Sequence, residues 1–423
     1  MNETRALAGF VAGTRFDDLP RGLVVNCKIA VLDALGAGFV GAVQPWARRI
    51  VGVVRSLGGA PDASVIHQDW RTDVSRAALA NGVLIRFLTA LAVGFEVSAR
   101  IARTAVGLET VRGFHNPGTQ GPFGAAAAVG KLHAFDEERL THAMGIAGSS
   151  SAGLLEFAWS GGDTKRLHLG RASQLGLESA LLAREGVRGP ATVLEGRSGY
   201  FNAFSTSTDL AKLVDGLGRD WAIEPPSLKS YATHVTHQAV VDAIQRFKSE
   251  RPLDPRAITR VVLRAAPRIV EERHTEREPH DVLGGQYSLP FTTAVALTRD
   301  MANPLVYDAA AVQDPLVREL ARRIELVPLD GGPGAPHNAG HETPGFWPAE
   351  VTIECGAERH TFRTRPHKGA PSNPFTWDDA CEKFRRYTSS MLHAGRAEAI
   401  IELVERLEAV SDVADVAALI ASK

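Results

Sequence analysis

Apolar residues recur at three- and four-residue spacing over residues 5–15 and 20–42, which predicts two helices, with Pro20 suited to a helix start. Residues 46–57 repeat the pattern and run into Gly58-Gly59, a helix stop. A short polar connection, SVIHQDW, comes next. Residues 73–106, DVSRAALANGVLIRFLTALAVGFEVSARIARTAV, read as one helical pattern, unusually long for a globular helix without internal caps. Gly82 and Gly94 weaken it by about 1 kcal/mol each relative to Ala. Residues 113–124, GFHNPGTQGPFG, hold four glycines and two prolines and predict a loop. Helices are expected over 125–135 and 136–147. A Gly/Ser loop at 148–153 and a polar loop at 160–168 precede another helix over 169–185.

The pattern changes near Pro225-Pro226. After a helical stretch at 236–249, RAITRVVLRA alternates apolar and polar residues with β-branched side chains, a strand signal. AEVTIECGAERHTFRTR, at 349–365, reads as a hairpin turning at Gly356-Ala357. Between them FTTAVALTRDM and PLVRELARRIELV read as helical, and 331–345 as a Gly/Pro loop. Helical periodicity returns at 377–387 and 396–410. The expected fold is mainly α: a large discontinuous all-helical domain (1–227 and 371–423) with an inserted smaller α+β lid domain (228–370).

Composition narrows the function classes. The chain has 423 residues, with 47 Lys+Arg against 48 Asp+Glu, so no basic excess is available to neutralise nucleic-acid phosphates. Uncharged stretches such as 87–95 and 113–130 are too short or too Gly-rich to span a bilayer, and the N-terminal residues show no secretory pattern. The three cysteines, Cys27, Cys355 and Cys381, are scattered and supply no zinc or iron–sulfur ligand set. A cytoplasmic protein that binds neither membrane nor nucleic acid is expected.

Four constellations carry candidate chemistry. His115 precedes the Gly/Pro segment, where small residues would let backbone N–H groups at a helix start approach an anion; a tight helix–helix connection is the alternative. Lys165, Arg166, His168 and Arg171 fall within seven residues and suit a substrate with several carboxylates, although such a run is often a solvated helix face. Lys229, His234 and His237 cluster at a helix start. His-x-x-His offers two metal ligands, but no neighbouring sequence completes a site, so no metal is expected; proton transfer or carboxylate binding is the better functional reading, and polar capping of the helix is an equally weighted alternative. Tyr287 follows Gly284-Gly285 and precedes an apolar helix, a setting shared by core tyrosines. GRSGYF, at 196–201, is read as structural. The chain has no GxSxG elbow, P-loop or dinucleotide fingerprint. The pool of Lys, His and Tyr near helix starts points to acid–base chemistry on an anionic substrate without a cofactor.

GFHNPGTQGPFGAAAAVGKL, TKRLHLGRASQLGLESALLAREGVRGPATVLEG, LKSYATHVTHQAVVDAI, GGQYSLPFTTAVAL and HKGAPSNPFTWDDACEKFRR, in this order, resemble the MmgE/PrpD family. Its members include 2-methylcitrate dehydratase, cis-aconitate decarboxylase and iminodisuccinate epimerase. The resemblance implies a helical domain with an α+β lid, a homodimer, and no metal or organic cofactor. It implies catalytic roles for His115, Lys165, His234 and Tyr287. Thr119, Gln120, Arg166, His168 and Lys229 are assigned to binding a small carboxylate substrate. The expected activity is that of a cofactor-independent lyase, a dehydratase of the 2-methylcitrate type. An epimerase, a decarboxylase or a non-catalytic carboxylate binder is the alternative. One departure accompanies the match. Where the family has an acidic segment and an H-P pair, each supplying a site residue, Leu88 here runs directly into Thr89. Either the natural chain lacks a few dozen residues at this join or this sequence omits them. The completeness of the match on both sides favours the second.

Overall fold

In the computed structural model, residues 2–81, 88–108, 111–222, 225–270, 272–329, 346–410 and 414–421 are described. Gly82, the interior of NGVLIRFL and the Gly/Pro stretch at 331–345 lie outside them. The fold is mainly α, and the chain divides into two units.

Unit 1 comprises Met1–Leu155, Asp163–Glu224 and Thr388–Lys423. Its main helices are α1 (Glu3–Gly13), α2 (Arg21–Ala42), α3 (Pro45–Leu57), α4 (Val74–Asn81), α5 (Leu88–Thr104), α6 (Asn116–Leu132) and α7 (Glu137–Ser149). After α8, a single turn at Phe157–Ser160 that belongs to unit 2, comes the long α9 (Thr164–Arg184). The sequence alone misplaces several boundaries. SVIHQDW is flanked by a short antiparallel pair, Ala63–Ser64 with Arg71–Thr72. The pattern at 73–106 contains two described helices, α4 and α5. Helix α9 starts at Thr164, so Lys165 to His168 are helical rather than loop.

The largest correction concerns 113–124. Helix α6 starts at Asn116 and runs straight through the Gly/Pro segment. Pro117 sits in the first turn, where its missing N–H costs nothing, and Pro122 is tolerated inside the helix. The glycines serve close packing. Helix α6 lies between α5 and α9. A Cβ on Gly124 would fall 2.0 Å from Ser98 Oγ and 2.5 Å from the Gly94 carbonyl oxygen. On the α9 side, a Cβ on Gly176 would meet Ala125 Cβ at 2.3 Å and the Ala126 nitrogen at 2.7 Å.

Helix α2 is long and apolar enough to cross a membrane by length and composition, a property the uncharged stretches did not reveal. Half of its apolar window is buried in the fold. Lys28, inside it, is also buried and pairs with Glu408 at 2.5 Å, which ties the helix to the C-terminal part of the unit.

Unit 2 comprises Glu156–Gly162 and Pro225–Tyr387. Its sheet has the order β6-β5-β7-β8 (in the numbering β1–β2 for the pair above and β3–β4 for Ala105–Val106 with Ser207–Thr208). Here β5 is Arg260–Ala265, β6 Ile324–Pro328, β7 Ala349–Cys355 and β8 Glu358–Arg363. Strand β5 is parallel to β6, with Val261 opposite Ile324, and antiparallel to β7, with Leu263 opposite Val351. The expected hairpin at 349–365 forms, turning at Gly356, whose φ is +61°. The expected helix over PLVRELARRIELV ends at Arg322, and IELV belongs to β6. Its β-branched and apolar residues pair with β5, which overrides the helical period of the preceding residues. Val261, Leu263, Val351 and Ile353 join Ile244, Phe291 and Val295 in the core of this unit.

Candidate active site

In unit 1, His115 occupies the N-cap of α6 with extended backbone (φ −91°, ψ 114°). Its N–H donates to the Gly153 carbonyl at 2.9 Å, and Phe114 pairs with Leu154 across an antiparallel bridge. The loop after α7 thus holds the residue just ahead of α6 in place. One turn into α9, His168 brings Nδ1 to 3.0 Å from Nδ1 of His115. Glycine at position 153 (φ +145°) keeps that contact open, since a Cβ there would stand 3.3 Å from the His168 ring.

An Nδ1–Nδ1 hydrogen bond between neutral rings fixes opposite tautomers. The ring that donates from Nδ1 has a basic Nε2; the ring that accepts carries its proton on Nε2. The pair therefore presents one proton acceptor and one proton donor. Burial, then the positive charge of Lys165, then His168 hold His115 far below the ordinary imidazole range, at about 3. His115 is consequently neutral near pH 7. Burial also lowers His168.

Lys165 and Arg166 lie in the first turn of α9, which has no acidic residue. Cations there oppose the helix dipole by about 0.3–1 kcal/mol each. The same arrangement adds side-chain charge to helix N–H groups and favours an anion. Arg166 reaches Asp163 at 3.3 Å and stacks over Trp46 at 5.0 Å, while Arg171 is exposed and donates to Gln174. Lys165 is thus the cation of the cluster whose charge is felt at His115. Thr119 is fully buried; its hydroxyl donates to the Asn116 carbonyl and accepts from Tyr200. Tyr200 in GRSGYF is accordingly a structural support. Gln120 Oε1 and Asn116 Oδ1, one helical turn apart, are buried without a hydrogen-bond partner among the described residues. Asn116 was not singled out from the sequence, although FHNP places it directly after His115.

Unit 2 assembles the other candidates. His234 caps a single 3-10 turn (Val235–His237) ahead of α12 (Gln238–Glu250). Tyr287 ends α13 (Val282–Tyr287), just before α14 (Leu289–Thr298). The two rings lie 4.7 Å apart, and Phe157 of α8 meets Tyr287 edge-on at 6.0 Å. Two side-chain amides, Gln238 buried and Gln286 half-buried, shape the intervening backbone. Gln238 accepts from the N–H groups of Ser230 and Tyr231 and donates to the Tyr231 carbonyl, all at 3.0 Å. The Gln286 side-chain amide donates to the Ala232 carbonyl, and the Gln286 main-chain carbonyl accepts from the His234 N–H. Lys229 is exposed, and its carbonyl accepts from the buried Lys383 ammonium. His237 and His274 are fully buried beside His234, at ring separations of 5.5 and 4.7 Å. His274 lies 37 positions beyond His237 and carried no signal in the sequence.

The chain is similar in sequence to known proteins along most of its length. Among curated relatives, the cis-aconitate decarboxylases of Mus musculus and Homo sapiens are each 25% identical over 97% of this chain, covering 91% and 92% of theirs. One from Aspergillus terreus is 22% identical over 97% of this chain and 94% of its own. The MmgE/PrpD C-terminal domain model matches residues 231–409, and the MmgE/PrpD N-terminal domain model matches 5–88 and, separately, 86–212. These matches take in nearly the whole chain, including His115, Lys165, His234 and Tyr287, and establish that it belongs to the MmgE/PrpD family.

Proposed function

We propose that this protein is a lyase acting on a small di- or tricarboxylic acid, and that it decarboxylates a cis-aconitate-like substrate. The observation that carries the reading is the neutral His115–His168 pair beside Lys165. The relatives named above favour decarboxylation over the other reactions of the family. In such a reaction the C–C bond to one carboxylate breaks and carbon dioxide leaves. The electron pair is delocalised onto a conjugated carboxylate, and carbon then takes up a proton. A preorganised cation lowers the energy of the developing charge, the part assigned to Lys165. An imidazole N–H returns the proton, the part assigned to the His115–His168 pair; His234 and Tyr287 are proposed as further proton donors. Thr119, Gln120, Lys229, Arg166 and His168 remain the residues proposed to bind and orient the carboxylates, to which Asn116 is added. The protein is proposed to work as a cytoplasmic homodimer.

A second reading, dehydration of a 2-methylcitrate-like acid, draws on NGVLIRFL and LTALAVGFEV, which lean towards the dehydratase branch of the family. There the same pair would remove a proton next to a carboxylate and protonate the leaving hydroxyl. Citrate, 2-methylcitrate, cis-aconitate and iminodisuccinate, each followed by proton NMR in heavy water, separate the possibilities. Decarboxylation predicts carbon dioxide release with one solvent deuteron on carbon. Loss of water from 2-methylcitrate would replace it with the dehydratase reading. Deuterium exchange at an α-carbon with neither loss would mean an epimerase. No turnover and no exchange with any of the four would overturn the enzymatic reading for this panel and leave a carboxylate-binding homologue.

A further inference from the structure

We propose that Lys383 is a positioning residue for Lys229: its buried ammonium fixes the main chain from which the Lys229 side chain reaches for a substrate carboxylate. The inference deepens the reading above and rests on the part assigned there to Lys229. It starts from HKGAPSNPFTWDDACEKFRR, a segment that carries none of the candidate site residues. Both ends of that segment converge on residues 228–231 of the same unit. At its start, the Gly369 carbonyl accepts from the Leu228 N–H at 2.8 Å, and the Lys368 carbonyl accepts from the Ser230 hydroxyl at 2.6 Å. The approach needs glycine: φ at Gly369 is +93°, and a Cβ there would stand 2.5 Å from the Leu228 carbonyl oxygen. At its end, Lys383, on the helix Trp377–Thr388, donates from Nζ to the Lys229 carbonyl.

Leu228, Lys229, Ser230 and Tyr231 are thus each held through a main-chain group, the last two by the buried Gln238 side chain. Of these contacts the one at Lys229 is charge-assisted, and such bonds are about twice as strong as neutral ones. Its donor is itself locked in place. The ammonium stands 5.6 Å from the Phe375 ring centre and 4.9 Å from that of Tyr387, within cation–π range. Lys383 is only 7% exposed. Burying an ammonium is costly even when it is well partnered, and an apolar side chain of similar length would fill the same place on the two rings without that cost. The gain lies in what the ammonium holds. Lysine has one of the largest side-chain entropies, and a binding group has to stand within about 0.5 Å of its productive position. A fixed root for the exposed Lys229 serves that need.

The test is a double-mutant cycle read as binding, so it needs no turnover. Propane-1,2,3-tricarboxylate has the three carboxylates of an aconitate-like acid but no double bond. It is titrated by calorimetry into wild type, Lys383→Met, Lys229→Ala and the double variant. Lys383→Met keeps the packing on the two rings. A cavity of about 250 Å³, lined in part by Ser230, Phe375 and Lys383, lets water reach the freed carbonyl, so the variant should fold, as checked by circular dichroism. Lys383→Met should weaken binding at least fivefold in the wild-type background and less than twofold in the Lys229→Ala background, because a residue that acts through Lys229 loses its effect with it. A general structural role would weaken both backgrounds alike. Equal losses in the two backgrounds, no loss in Lys383→Met, or no binding by the wild type would overturn the proposal. If Lys383→Met fails to fold, Lys383→Gln, which keeps a neutral donor, goes through the same cycle with the same criteria. Wild type that binds and shows the coupling but turns over none of the four acids above would remove the lyase reading and leave this one standing.

Discussion

At the scale of single residues, His115 has the most specific consequences. Its proton affinity is depressed to about 3, whereas an exposed imidazole titrates near 6.5. Above pH 6.5 neither the folded nor the unfolded chain protonates it, and it contributes nothing to the pH dependence of stability. Below 6.5 the unfolded chain binds a proton that the folded chain refuses, so stability falls as pH drops towards about 3. The slope from one such group is at most about 1.4 kcal/mol per pH unit. His115→Gln should therefore make the protein less sensitive to acid between pH 6 and 4, as read from urea midpoints; an unchanged slope would show that His115 is not held neutral. For the same reason an acid limb near pH 6 in the rate profile must come from another group. Lys165→Ala tests the neighbouring charge. Losing a cation that acts on the developing carboxylate charge should lower turnover at least tenfold, and wild-type rates in the variant would remove Lys165 from the site.

At the scale of elements, the glycines of α6 set two effects against each other. In an exposed helix, Gly→Ala gains up to about 1 kcal/mol from propensity. At Gly124 the new methyl would lie 2.0 Å from Ser98 Oγ and 2.5 Å from the Gly94 carbonyl oxygen, where backbone must move. Overpacking of this kind costs about 1–3 kcal/mol, so Gly124→Ala should lower the thermal midpoint, while a rise would show that α5 and α6 are not in close contact. The same glycines explain why part of the fold was illegible beforehand. Regular amphipathic stretches such as α1, α3, α12 and β5 were legible because period alone defines them. The start of α6 looked like a loop because Gly and Pro are local helix breakers, and the requirement that two other helices approach closely is not a local property. IELV was absorbed into a helix because four residues cannot establish a period of their own. Short motifs are enough to single out His115, Lys165 and His234 as candidates; the His115–His168 contact and the place of His274 beside His234 arise only from packing between distant segments.

At the scale of the whole molecule, unit 1 is drawn from both ends of the chain, and Lys28 joined to Glu408 is one physical expression of that closure. The weak point in its continuity is internal. The alignment with the Mus musculus decarboxylase runs over 462 positions although only 97% of 423 residues take part, so dozens of its positions have no counterpart here. The N-terminal domain model breaks and restarts at residues 86–88, where Leu88 meets Thr89 and where the resemblance places two absent site residues. A lyase lacking that acidic group and that imidazole would have to run its chemistry with the cations and proton-transfer groups that remain. If such a segment exists in the natural protein, trypsin cannot release residues 87–100 as the single peptide FLTALAVGFEVSAR, although Arg86 and Arg100 flank it in this sequence. The lyase reading expects that peptide to be missing from a digest of protein made from its native gene, and two longer-range fragments to replace it. Finding the contiguous peptide would mean that the chain closes at Leu88–Thr89. Turnover in the substrate panel would then show that the groups this chain retains suffice for the chemistry, and its absence would leave carboxylate binding without catalysis.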